Sequence, residues 1–103
     1  MKLFLDDERY PPGDGLGWDI VRSFDEAVEY FEVNGVPRFA SFDHDLGTGP
    51  SGYDLVNWMI ERDLDMDGTF IPKDFDFYVH SQNNVGAENI RLKLRAYLDH
   101  RDA

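Results

Sequence analysis

Three apolar runs in this chain stop abruptly in ionisable or hydroxyl side chains. Leu3-Phe4-Leu5 runs into Asp6, Asp7, Glu8 and Arg9; Phe39 to Phe42 runs into Asp43, His44 and Asp45; Phe77-Tyr78-Val79 runs into His80 and Ser81. Short, almost wholly apolar runs bounded by polar residues have the pattern of buried strands. Three strands that end alike imply one shared sheet edge with a site built on it.

The intervening chain supports that arrangement. Lys2 to Leu5 is expected as the first strand, and residues 8 to 17 carry Pro11, Pro12, Gly13, Gly15 and Gly17, which excludes a regular helix there. Trp18 to Arg22 makes a short second strand. Ser23 followed by Glu26 has the spacing of a capping box, and Phe24, Ala27, Val28 and Phe31 predict a helix to about Val33, ending near Asn34-Gly35. The Gly-rich stretch from Gly47 to Gly52 is expected to be a flexible loop, even a lid, opening a second helix. Leu55, Val56, Met59 and Ile60 share one face of that helix, with Trp58 at the border. A long acidic connection, Asp63 to Asp76, precedes the fourth strand. A final helix from about Gly86 to Leu98 buries Ala87, Ile90, Leu94, Tyr97 and Leu98 and turns Arg91, Lys93 and Arg95 outward. Strands alternating with helices imply an α/β fold with a parallel sheet and right-handed crossovers. Ligands of such sheets bind at the carboxyl ends of the strands. That edge gathers Asp6, Asp7, Asp43, Asp45, His80 and Ser81, and residues 1 to 103 are expected to form a single domain.

Charge narrows the chemistry. The 103 residues carry 10 Lys and Arg against 21 Asp and Glu, a formal net charge of −11. Such a field disfavours non-specific binding to nucleic acid or acidic membranes. A phosphorylated substrate would need local relief from it, and a divalent cation held by carboxylates supplies that. Cysteine is absent, which excludes disulfides and thiolate sites. The N-terminal apolar run is too short for a signal peptide or membrane span, so a cytoplasmic location is expected.

Asp6, Asp7 and Asp43, with Asp45 beside them, offer the hard oxygen ligands preferred by Mg²⁺ or Mn²⁺. Neighbours at a strand end point to opposite sides, so one of the Asp6-Asp7 pair is expected to meet metal directly and the other through water. The plain alternative is that acidic loops are common in so acidic a protein. His44 and His80 can act as general acid, general base or further metal ligand, because imidazole titrates near neutrality. His80, directly at a strand end beside Ser81, is the stronger candidate, whereas His100 suits the carbonyl end of the last helix. Ser81, Asn83, Asn84 and Gly86 precede that helix, where free amides attract phosphate; ordinary capping would also place Ser and Asn there. The loop at 47 to 52 lacks the Gly-Lys-Ser or Gly-Lys-Thr ending of a P-loop. Asp63, Asp65, Asp67, Gly68 and Asp74 match positions of a calcium loop, but the exiting helix that motif requires is missing. No Ser-His-Asp or paired His-x-Thr arrangement is present.

Asp6-Asp7 after the first strand, Asp43 after the third and Ser81 after the fourth resemble response-regulator receiver domains. The closer resemblance is to the cyclic-phosphate processing receiver domains. It is carried by Leu5-Asp6-Asp7-Glu8-Arg9 with Pro11-Pro12, by Phe42-Asp43-His44-Asp45-Leu46-Gly47 with Gly52-Tyr53-Asp54, and by His80-Ser81-Gln82-Asn83 with Gly86. The resemblance implies a small flavodoxin-like, three-layer domain. Its four-stranded, mainly parallel sheet would have the order 2-1-3-4 and about three helices, without the receiver's first helix or last strand-helix unit. It also implies a metal-dependent activity on cyclic phosphates of nucleotides. Receivers carry a Lys on a fifth strand that pairs with the phosphorylated Asp; no counterpart is found here, while His44, Asp45 and His80 are additions suited to hydrolysis. The leading expectation is therefore a phosphoesterase opening or removing a cyclic phosphate on a small nucleotide or RNA end. In it, Asp6, Asp7 and Asp43 hold Mg²⁺ or Mn²⁺, His80 or His44 moves protons, Asp45 orients His44, and Arg9, Ser81, Asn83 and the amides near Gly86 steady the phosphate. The alternatives are attack by Asp43 itself, a non-catalytic module binding metal, nucleotide or a protein partner, and a phospho-accepting switch.

Overall fold

The computed structural model describes residues 2–13 and 17–103; Gly15 of the expected loop lies outside them. The elements are β1 (Lys2–Leu5), β2 (Trp18–Val21), α1 (Phe24–Asn34), β3 (Phe39–Phe42), α2 (Gly52–Asp65), β4 (Asp76–Val79) and α3 (Asn84–Arg101). All strand pairs are parallel and the order is β2-β1-β3-β4, as expected for a receiver-like α/β fold.

Register decides which side chains share a face. Phe4, Ile20, Ser41 and Tyr78 lie across from one another, as do Leu5, Val21, Phe42 and Val79. Side chains alternate along each strand, so Leu3, Leu5, Ala40, Phe42 and Val79 point to one side, where they join the main core. Ala27 and Phe31 of α1, Leu55, Val56 and Met59 of α2, and Ile90 and Leu94 of α3 complete that core. All three helices therefore cover the same face, making two layers rather than the expected three. Among the described residues no helix covers the second face. Among the described residues that face is dressed instead by aromatic side chains: Phe4 against Trp18 at 5.7 Å between centroids, and Trp18 against Phe39 at 6.0 Å.

Caps set the helix boundaries. Ser23 accepts from the Glu26 amide at 3.1 Å, but the Glu26 carboxylate reaches the amide of Arg22, not that of Ser23. The reciprocal box belongs to α2, between Ser51 and Asp54. Asn83 accepts from the Gly86 amide at 2.9 Å, so α3 starts at Asn84, two residues before the expected start. It also runs past Leu98 to Arg101, because Arg101 is tied to the carbonyls of Ile71 at 2.7 Å and Pro72 at 3.2 Å.

The acidic connection after α2 does not form a calcium loop. Asp63 is wholly buried in the last turn of α2. Its Oδ1 accepts from the amides of Phe70 at 2.9 Å and Ile71 at 2.7 Å. Its Oδ2 accepts from Tyr97 Oη at 2.5 Å and Arg101 Nη1 at 3.3 Å. The carboxylate that would begin the loop is thus turned inward, where it joins α2, the chain leading to β4 and α3. Among the described residues no helix is long and apolar enough to cross a membrane.

Candidate functional site

The sheet ladder continues one residue beyond three strands. Asp6 donates its amide to Val21, Asp43 to Leu5 and His80 to Phe42, at 3.1, 3.0 and 3.0 Å. Strand alternation carries Asp6, Asp43 and His80 to the same side as Phe4, Ser41 and Tyr78. Ligand atoms of Asp6, Asp43 and His80 consequently lie within 4.8 Å of one another.

Asp6 is the most constrained member. It is fully buried, and its Oδ1 accepts from the amides of Glu8 at 2.9 Å and Arg9 at 2.8 Å. Its Oδ2 meets His80 Nε2 at 2.9 Å. Burial works against its charge, yet the two amides and the imidazole outweigh that and hold its carboxyl below the usual range. The turn that supplies those amides is itself fastened: the Arg22 guanidinium donates to the carbonyls of Asp6 and Arg9.

Asp43 behaves oppositely. Burial and the neighbouring charge of Asp6 push its carboxyl up, although the Ser81 hydroxyl, the His44 amide and His80 pull the other way. A half-buried carboxylate destabilised by a second one is relieved by a cation between them. Two carboxylates and one imidazole fit a divalent metal, and the nitrogen moves the preference from Mg²⁺ towards Mn²⁺ or a later transition ion.

A cleft of about 390 Å³ adjoins this cluster through Asp43 and is lined by Asp7, Glu8, Arg9, Asp43, Asp45, Gly47, Ser81, Gln82 and Asn83. Sequence reasoning had named most of these, and the fold brings them to one place. The Asp6-Asp7 pair divides as expected for a strand end, Asp6 buried and Asp7 exposed. The Gly47 to Gly52 loop is pinned at its far end, where Gly52 donates to the His44 carbonyl at 2.7 Å.

His44 and Gly86 are not among the residues that line the cleft. His44 Nδ1 lies 2.8 Å from Asp45 Oδ1, and this contact comes first among those holding the exposed Asp45 carboxyl low. Asn83 Nδ2 approaches both oxygens of Asp45 at 3.4 Å. The Gly86 amide is spent on Asn83 rather than left free for phosphate. A Cβ on Gly86 would stand 2.4 Å from Cγ of the His44 ring, so this glycine is needed for close approach. Gly86→Ala is expected to expel the ring, lower stability by about 1–3 kcal/mol in urea unfolding and shift the His44 ring signals in NMR spectra.

Both ring nitrogens of His80 are engaged, Nε2 by Asp6 and Nδ1 by Ser41 Oγ at 2.7 Å. Phe4 stacks on the ring at 4.4 Å between centroids and 5° between planes. Sequence reasoning missed Ser41 and Phe4. The available signal was a lone hydroxyl in the apolar run Phe39–Phe42.

No curated protein and no solved structure matches the chain. The family model of the cyclic-phosphate processing receiver domain matches residues 1–96, the span that holds every residue of this cluster and cleft. Buried Asp6, the strand-end Asp43 with Ser81 beside it, and the parallel 2-1-3-4 sheet beneath them accord with that match: the chain belongs to the cyclic-phosphate processing receiver domain family.

Proposed function

We propose that this chain is a metal-dependent phosphoesterase that opens or removes a cyclic phosphate on a small nucleotide or an RNA end. The observation carrying this reading is the convergence of Asp6, Asp43 and His80 within 4.8 Å, next to a cleft that Asp43 shares with Arg9, Ser81 and Asn83. Asp6, Asp43 and His80 would hold Mn²⁺ or Mg²⁺, with Asp7 and Asp45 within the surrounding acidic rim. When bound, such a cation polarises the phosphoryl group and lowers the pKa of an attacking water.

The protein's own groups supply the rest. Arg9 offers a charged, forked donor to the phosphate oxygens, and the Asn83 amide adds a neutral donor in the same cleft, beside Ser81, whose hydroxyl bonds to Asp43. Asp45 lines the cleft beside His44 and Asn83 and would take a proton from the attacking water. His44 thus acts through Asp45, and His80, whose Nδ1 is held by Ser41 and whose Nε2 is turned to Asp6, would serve as a ligand instead of shuttling protons. A cyclic phosphate diester carries one negative charge and its opened monoester carries up to two. The acidic rim of Asp7, Glu8 and Asp45 therefore repels product more than substrate and favours release.

Purified protein incubated with a panel of cyclic-phosphate nucleotides, with and without Mn²⁺ or Mg²⁺, tests the reading. Metal-dependent turnover is expected, falling to background in Asp43→Asn while the far-UV spectrum is unchanged. Tight binding without turnover would sink the enzyme reading. Stable labelling of Asp43 by acetyl phosphate would replace it with a phospho-accepting switch.

A further inference from the structure

Ser41 is a buried polar residue in the middle of an otherwise apolar strand, only 4% exposed. A buried hydroxyl without a partner is costly, and its side-chain contact is His80 Nδ1, 2.7 Å away on the neighbouring strand. The two residues sit on the helix-free face of the sheet, with Phe4 flat against the imidazole. Carboxylate, ring and hydroxyl thus form a chain of contacts, Asp6 to His80 to Ser41, from just past the ends of β1 and β4 back to β3.

Proton positions follow from the partners. Asp6 accepts two amides on Oδ1 and is acceptor-only as a carboxylate. The proton between it and His80 therefore belongs to Nε2. In a neutral ring Nδ1 then carries a lone pair, and Ser41 must donate to it. A hydroxyl has both a donor and acceptor sites, so the same Ser41 can also accept from a protonated Nδ1. Ser41, which reaches His80 through its side chain while its backbone pairs with Tyr78, thus suits either arrangement of the ring's protons.

We propose that Ser41 is a positioning residue for the candidate metal cluster, clamping His80 Nδ1 so that Nε2 stays aimed at Asp6 and Asp43. In the metal-free protein Ser41 donates to Nδ1 and Nε2–H donates to Asp6. For Nε2 to serve as a ligand it gives up its proton to solvent, Nδ1 takes one up, and Ser41 becomes the acceptor; the ring's charge is unchanged. A ligating imidazole is commonly oriented in this way by a partner on its other nitrogen. The inference rests on the reading of this cluster as a metal site.

Nitrogen-15 NMR of the His80 ring in metal-free protein, paired with Zn²⁺ titration as a diamagnetic probe, tests it in wild type and Ser41→Ala. Wild type is expected to carry one sharp tautomer protonated at Nε2, converting to a Nδ1-protonated ring on Zn²⁺ addition. Ser41→Ala is expected to give exchange-broadened or doubled ring signals and a Zn²⁺ affinity lower by about 10- to 100-fold. A folded Ser41→Ala with unchanged ring signals and Zn²⁺ affinity overturns the proposal, as does a wild-type metal-free ring protonated at Nδ1. Failure of wild type to bind Zn²⁺ or Mn²⁺ would instead overturn the metal reading, and the metal-free spectra of the two proteins would still decide whether Ser41 sets the ring.

Discussion

Replacing Gly52 with alanine is expected to lower stability by about 3 kcal/mol or more and to abolish the divalent-metal binding we propose. Helix propensity alone predicts the opposite sign, because alanine is favoured over glycine in a helix by about 1 kcal/mol. The difference lies in what a Cβ would meet. It would stand 1.9 Å from the carbonyl oxygen of Asp43, 3.0 Å from its carbonyl carbon and 3.2 Å from Cα of His44. These are backbone atoms, so no rotamer change gives relief. The start of α2 must part from the segment following β3, breaking the 2.7 Å bond from Gly52 to the His44 carbonyl and displacing Asp43 from Asp6 and His80. Urea unfolding measures the first effect: with the usual slope for a small domain, the midpoint should fall by about 1–3 M. Calorimetric titration with Mn²⁺ measures the second. A midpoint at or above that of wild type would show that the approach is looser than described.

Asp63→Ala is expected to cost about 3–5 kcal/mol without touching the cleft. It leaves two amides and the Tyr97 hydroxyl without their acceptor and Arg101 without its buried counter-ion, with Arg101 itself only 10% exposed. The pH dependence identifies the cause. Burial opposes the Asp63 charge, but the Tyr97 hydroxyl, the Ile71 amide and Arg101 prevail, and its carboxyl lies below the ordinary 3.8. A depressed carboxyl contributes stability that is full above its unfolded value and lost as pH falls through the folded one. Tyr97 is pushed up from 10.0 to about 12, first by burial and then by Asp63. Its contribution is full below pH 10 and lost as pH rises through about 12. The stability gap between wild type and Asp63→Ala should therefore be flat from about pH 5 to 9 and narrow at both ends. Unfolding curves across that range check it, and a gap independent of pH would exclude this network as the cause.

Much of the site was legible because strands announce their own ends. Asp6, Asp43 and His80 each follow an apolar run, and parallel order places such ends together. The same reasoning placed Asp7, Asp45, Arg9, Ser81 and Asn83 near them. Less legible were residues whose type has more than one use. Gly86 looked like a phosphate-binding glycine, whereas it makes room for a ring from another segment. Asp63 stands at the first position of a calcium-loop spacing that the missing exiting helix argued against, and it is the acceptor that closes the chain after α2. His80 looked free to move protons, whereas two partners hold it. Each depends on a neighbour distant in sequence: His44 for Gly86, Tyr97 and Arg101 for Asp63, and Ser41 and Asp6 for His80.

The amino-acid sequence by itself determined where strands and helices lie, that the strands run parallel, and which side chains emerge at the common edge. Those properties follow from hydrophobic period, turn residues and caps, all of which act over a few residues. Tertiary structure alone decided that all three helices share one face, that His80 is locked between Asp6 and Ser41, and that His44 packs on Gly86 to hold Asp45. These depend on strand register and on how a ring seats against a backbone from elsewhere in the chain, and no local pattern encodes either.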